Sequence, residues 1–115
     1  METGFPSPAQ GYESKAFDLN TMLIKRPAAT LLMEMSGHAL ESMGIFPKDW
    51  LIVDRSGKPR PESIVVAEYQ GEYICRVLTK SMEGLKLLGD KVSPIPVNED
   101  VSIIATVSFS IRRLP

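Results

Sequence analysis

The sequence predicts a mostly β fold in a single domain, and three observations carry that reading. The stretch from Val101 to Ile111 alternates apolar and polar residues with period two, as a strand with one buried face requires. Two strand-like runs, Ser63 to Tyr69 and Glu72 to Lys80, flank the pair Gln70-Gly71 and read as a hairpin. Two short apolar runs, Ala29 to Met35 and Trp50 to Val53, are each closed by polar or turn-forming residues.

Composition bounds the rest. A chain of 115 residues with 43% hydrophobic content suits one domain with one modest core. The formal charge of -1 shows no basic excess, so no strong direct binding of nucleic acid is expected. No apolar run is long enough to span a bilayer. Met1 to Pro6 has neither a basic nor an apolar leader region, so no secretory signal is read there. Cys75 is the only cysteine, which excludes an internal disulfide and fits a reducing cytoplasm. His38 is the only histidine. No zinc cluster can form around it, and any Ser-His or Cys-His device would have to use it. No cofactor or metal is implied.

Taken in order, residues 1–16 carry Gly4, Pro6, Pro8 and Gly11 among polar residues and read as an extended arm, leaving 17–115 as the folded domain. Phe17 to Ile24 is ambiguous. Asp18 can cap a helical turn whose apolar face is Leu19, Met22 and Leu23, and Pro27 ends it. Ala29 to Met35 is a strand. Ser36-Gly37-His38-Ala39-Leu40 then turns into a short helix, Ala39 to Met43, with Gly44 as a left-handed cap. Asp49 to Asp54 is the next strand, with Trp50 more simply a core aromatic than an interface anchor, and Asp54 shaping the following turn. Ser56 to Pro61 is a loop. In the hairpin, Tyr69 faces Glu72, which places Arg76 opposite Val65 on the face of Ile74 and Leu78. Cys75 points the other way, as a packed thiol. Gly84 to Leu88 is a further short strand, and Ser93 to Pro96 a rigid connection. Val101 to Ile111 would run roughly 35 Å. Such a strand either bends across two sheets or extends past its own domain edge, and the second option frees backbone for pairing with another chain.

A strand turning sharply into a helix is a common place to present a nucleophile, but Ala39 has no reactive atom. Several segments, in order, resemble the LexA-like self-cleaving serine peptidases, and specifically their UmuD branch. Gly4-Phe5-Pro6-Ser7-Pro8-Ala9 resembles the segment just after the self-cleavage bond, placing a former junction at Thr3 and Gly4. Phe17-Asp18-Leu19-Asn20 and Pro27-Ala28-Ala29-Thr30 match the lead into the first core strand. Ser36-Gly37-His38-Ala39-Leu40 stands where the family has Ser-Gly-Asp-Ser-Met. Gly44 to Asp54 resembles Gly-Ile-x-x-Gly-Asp-x-Leu-Ile-Val-Asp. Ile64-Val65-Val66-Ala67, Gly71-Glu72-Tyr73 and Ser93-Pro94-Ile95 also have counterparts.

The resemblance implies a fold of small curled antiparallel sheets with one short helix. It implies a Ser-Lys dyad, whose serine falls on Ala39 and whose general-base lysine falls on Arg76. Alanine carries no hydroxyl, and arginine is always protonated, so no catalytic pair is intact. Only Met1-Glu2-Thr3 precede Gly4, so the chain is expected to begin about where UmuD′, the cleaved form, begins. The resemblance further implies a homodimer, with Val107, Phe109 and Ile111 in its strand, and service as accessory subunit to an error-prone Y-family polymerase, the UmuC partner, in the SOS response. RecA filaments are the implied regulator, and the setting is the cytoplasm of a bacterium, encoded by chromosome, phage or plasmid. Two other readings stay open. One is a self-cleaving peptidase in processed or mutated form. The other is a phage or plasmid modulator that heterodimerises with a host UmuD or LexA-like protein.

Neighbouring groups offer weak substitutes. Ser36 and Ser42 are hydroxyls near Ala39, but Lys80 lies roughly 13 Å beyond Arg76 along its strand. His38 reads as a solvent-facing turn residue. Arg76 is expected either to find a carboxylate among Glu34, Glu68 and Glu72 or to reach outward.

Overall fold

A computed structural model describes residues 18–115. The expected arm over 1–16, and the junction at Thr3 and Gly4 within it, lie outside the described residues. Asp18 resolves the ambiguity of its segment. Its carboxylate accepts from the Asn20 N–H at 2.9 Å and the Thr21 hydroxyl at 2.8 Å, starting α1 (Leu19–Leu23). Pro27 opens a single 3₁₀ turn, Pro27–Ala29, and the chain then enters β1 (Thr30–Glu34).

The strands that follow are β2 (Trp50–Asp54), β3 (Ile64–Tyr69), β4 (Glu72–Ser81), β5 (Gly84–Leu88), β6 (Ile95–Pro96) and β7 (Val101–Ile111). They form one antiparallel sheet in the order β1-β2-β7-β3-β4-β5-β6. The hairpin register is the expected one, with Tyr69 opposite Glu72 and Arg76 opposite Val65. Gln70 and Gly71 both take positive φ, 53° and 78°, as a two-residue turn matched to strand twist demands. The connection after Ser93 is less bare than expected, because Ile95 and Pro96 pair with β5 as a minimal edge strand.

β7 does not cross between two sheets; it stays in one, interrupted by bulges, and pairs with different strands along its two halves. Its first half, Val101 to Thr106, pairs with β3. Its second half, Thr106 to Ile111, pairs with β2. A register shift interrupts each ladder, between Ile52 and Val53 on one side and between Val66 and Ala67 on the other. At the first shift Phe109 faces Ile52 while Val107 faces Val53, leaving Ser108 as the extra residue, its hydroxyl donating to the Ile52 carbonyl at 3.1 Å. One inserted residue reverses which face the following side chains occupy. The apolar residues of β7 therefore do not share one buried face. Ala105 and Val107 join one core cluster, Val101 and Ile103 the other, and Phe109 and Ile111 remain 40% and 42% exposed.

The core has two parts because the curled sheet buries both faces. Val66, Leu51, Val53, Leu40 and Cys75 pack in one, Val65, Ala67, Leu78 and Leu87 in the other. Adjacent Val65 and Val66 thus point to opposite clusters, each almost fully enclosed. Trp50 departs from expectation. It sits at the end of β2 on the outer face, between Glu34 and Ile111 in neighbouring strands, and is 42% exposed. The alternation that sends Leu51 and Val53 inward sends Trp50 outward.

Candidate functional site

The turn at Ser36 to Leu40 is held at both ends. Past β1, the Met35 N–H donates to the Asp49 carbonyl at 2.7 Å, and the Met35 carbonyl accepts from the Lys48 N–H at 2.8 Å. Leu40 is buried in the core, and its carbonyl accepts from the Met43 and Ile45 N–H groups at 2.9 and 3.1 Å. Between these anchors the expected helix from Ala39 shrinks to one 3₁₀ turn, Glu41–Met43. Leu40, drawn inward, keeps a non-helical backbone, and Gly44 ends the turn after three residues. Gly44 has the expected left-handed conformation, φ 83°, and its N–H closes on the Glu41 carbonyl at 3.0 Å.

Behind the turn lies a cluster the sequence reading missed. Asp49 is 2% exposed. Its carboxylate accepts from Arg112 Nε at 2.9 Å, from Arg112 Nη2 at 3.1 Å, and from the Phe46 N–H at 2.9 Å. Arg112 also lies 4.2 Å over the Phe46 ring and donates to the Gly44 carbonyl at 2.8 Å. The hydrogen bond from Arg112 holds the Asp49 carboxyl below its ordinary value of 3.8 against the opposing effect of burial. The residue just beyond β7 thereby pins the loop that supports the turn.

Ala39 is 7% exposed, and its carbonyl accepts from the Asp90 N–H at 2.6 Å. Arg76 approaches it from β4. The two meet around Gly89, where an added Cβ would lie 3.0 Å from the Ala39 carbonyl oxygen, 3.0 Å from Arg76 Cδ and 3.0 Å from Val92 Cγ2. A side chain there would press on all three. Both residues line a cleft of about 430 Å³, walled by the turn on one side and the start of β4 on the other, with Leu51 and Val66 also in its lining. The two positions singled out from sequence are therefore brought together.

Arg76 is half-buried, and burial lowers the pKa of its guanidinium, though an arginine remains a cation and a poor proton acceptor. Nη1 donates to the Cys75 carbonyl at 2.8 Å, and Nε is buried with no partner among the described residues. None of Glu34, Glu68 or Glu72 forms an ion pair with it among the described residues. Of the two expectations, a carboxylate partner is not met among the described residues, and Nη1 turns back to its own strand at Cys75.

The substitutes do not assemble either. Ser42 spends its N–H and its hydroxyl on Asp90, at 2.7 and 2.6 Å. Lys80 is exposed and does not line the cleft. His38 is exposed, as expected, with Nδ1 3.1 Å from a Glu41 carboxylate oxygen. Cys75 is buried in the core, and desolvation pushes its thiol up to about 11, so it is no thiolate at neutral pH. Asp54 shapes its turn through the Ser56 N–H and hydroxyl, at 2.7 and 2.6 Å. Gly89 and Asp90 went unnoticed, although a Gly-Asp pair closing a strand was a signal for a special turn. Among the described residues no helix is long and apolar enough to cross a membrane, and no group of three or more His, Cys, Asp or Glu could hold a metal.

The profile of the Peptidase S24-like family matches residues 1–108. The chain belongs to that family. Among its relatives is Protein ImpA of Salmonella typhimurium, 40% identical over 114 residues that cover 97% of this chain and 79% of ImpA. Protein SamA of Salmonella typhimurium is 36% identical, over 96% of this chain and 79% of SamA. Protein MucA of Escherichia coli is 34% identical, over 100% of this chain and 82% of MucA. The UmuD-like resemblance read from the ordered motifs stands with this S24 membership, and so does the mostly β fold with a single short helix.

Proposed function

We propose that this S24-family chain is a UmuD-type protein that no longer cleaves peptide bonds and acts by binding other proteins. One observation carries the proposal: Ala39 and Arg76 meet at the cleft where a Ser-Lys dyad would stand. Cleavage there needs a hydroxyl to attack and a neutral amine to take its proton. Ala39 has no Oγ, and Arg76 keeps its charge. On this reading the protein serves SOS mutagenesis as accessory subunit of an error-prone Y-family polymerase of the UmuC type, in the cytoplasm and as a homodimer. RecA filaments, which promote cleavage in the family, have no catalytic pair to act upon here.

The test is incubation with a peptide spanning a UmuD-type self-cleavage site, at alkaline pH and separately with RecA filaments, followed by mass spectrometry. No cleavage is expected from the natural chain. None is expected from Ala39→Ser alone, because Arg76 cannot act as base; loss of a triad member in serine proteases costs on the order of 10⁴–10⁶ in rate. Cleavage by the natural chain overturns the proposal. Co-purification with a UmuC-type polymerase tests the accessory role.

A further inference from the structure

The cleft beside Ala39 combines an unpaired strand edge with an under-satisfied cation at the end of that edge. β4 pairs with β3 from Glu72 onward, but with β5 only from Val77. Residues 72–76 therefore have one edge without a strand partner among the described residues, and it borders the cleft. Facing it, β1 is the outermost strand of its side of the sheet, and its continuation through Met35 and Ser36 forms the other wall. Free edges of this kind take up extended chain through main-chain hydrogen bonds.

A segment laid along residues 72–76 cannot continue past Arg76. Leu88 takes over the edge at Val77, and Gly89 follows it so close to Ala39, Arg76 and Val92 that an added Cβ would lie 3.0 Å from an atom of each, which closes the way. Arg76 stands at that stop. Nε and the side chain's remaining donors lack a carboxylate, and Asp90, the acidic residue beside it in the lining, has both oxygens on Ser42. A partly buried, unpaired guanidinium is costly, and its planar fork matches a carboxylate.

We propose that this cleft binds the C-terminal end of an extended protein segment, which runs alongside β4 in the same direction and places its terminal carboxylate on Arg76. The proposal rests on the non-cleaving reading of the site. A glutamate side chain would offer the same chemistry, but the wall at Gly89 favours a chain that ends over one that passes through. Glu34 and Glu72 at the exposed rim oppose further acidic residues, while Leu51 and Val66 suit apolar ones.

The probes are three fluorescein-labelled peptides read by fluorescence anisotropy against the full chain. They are TVTVA with a free C-terminus, its C-terminal amide, and amidated TVTVE. The free acid should bind about tenfold or more tightly than the amide, the scale of one charge-assisted contact. That preference should vanish in Arg76→Gln and shrink in Arg76→Lys, which keeps the charge without the fork. Circular dichroism checks both folds, and Arg76→Lys carries the test alone if Arg76→Gln does not fold. Equal binding of acid and amide, no binding of either, tighter binding of amidated TVTVE, or an unchanged preference in the folded variants each overturns it. Cleavage of a probe would instead overturn the non-cleaving reading, which separates the two failures.

Discussion

Asp49 shows how much of the site rests on one buried carboxylate. It joins the loop before β2 to Arg112 beyond β7, and so holds the turn carrying Ala39. Because its folded-state pKa lies below the ordinary 3.8, the unfolded chain binds more protons in acid. Its contribution is full above the unfolded value and disappears as pH falls through the lowered one. Asp18, Asp54 and Asp90 are lowered too, each first by a side-chain hydrogen bond, from Thr21, Ser56 and Ser42 respectively. Urea midpoints should therefore fall steeply between roughly pH 5 and pH 2. Asn at position 49 (Asp49→Asn) should lower the midpoint at pH 7 and flatten part of that acid slope; a profile parallel to the natural one would show that Asp49 is not a source of it. At this scale Ala39 and Arg76 were legible, because each departs from a residue type its motif requires. Gly89 was not. Its meaning lies in how closely Ala39 and Arg76, distant in sequence, approach the place its side chain would take, and no local pattern encodes that.

Among elements, the hairpin and its register could be read directly, since a two-residue turn fixes every later pairing. β7 was legible in extent but not in orientation. Alternation gave the period, and the extra residue at Ser108 reversed it midway. Nothing in Val107-Ser108-Phe109 announces a bulge, which lies in the ladder with the distant strand β2. The same bulge moved Phe109 and Ile111 outward beside Trp50, which the apolar run around it had suggested was core. Deleting Ser108 should remove this second reversal and drive Phe109 and Ile111 toward the inner face. We expect a chain that folds poorly, with loss of near-ultraviolet dichroism and a thermal midpoint lower by 10 °C or more, since a one-residue slip misplaces a whole strand face (about 4–8 °C per kcal/mol). An unchanged melting curve would mean that the bulge is incidental.

For the whole molecule, the outer face of β1, β2 and β7 is where association is expected. Leu32, Trp50, Phe109 and Ile111 are all exposed there, and, among the described residues, 107–111 of β7 pair with β2 on one side only. Light scattering should give twice the chain mass of 12.7 kDa. Phe109→Glu should shift this to the monomer without unfolding it, because the side chain is already 40% exposed; a natural chain that stays monomeric at high concentration would remove the dimer. The bulged strand has a kinetic consequence as well. Among the described residues, β1 and β2 on one side, and β3 to β6 on the other, share a sheet only through β7. Before β7 docks, each part is an open half-sheet with no hydrogen-bonded ladder to the other. Assembly then waits on one strand remote in sequence from β2, a non-local closure of the kind that slows folding. While it waits, the facing edges of β2 and β3 are open to another chain's strand, so the crowded misfolding of this protein should begin at the gap that β7 is made to fill.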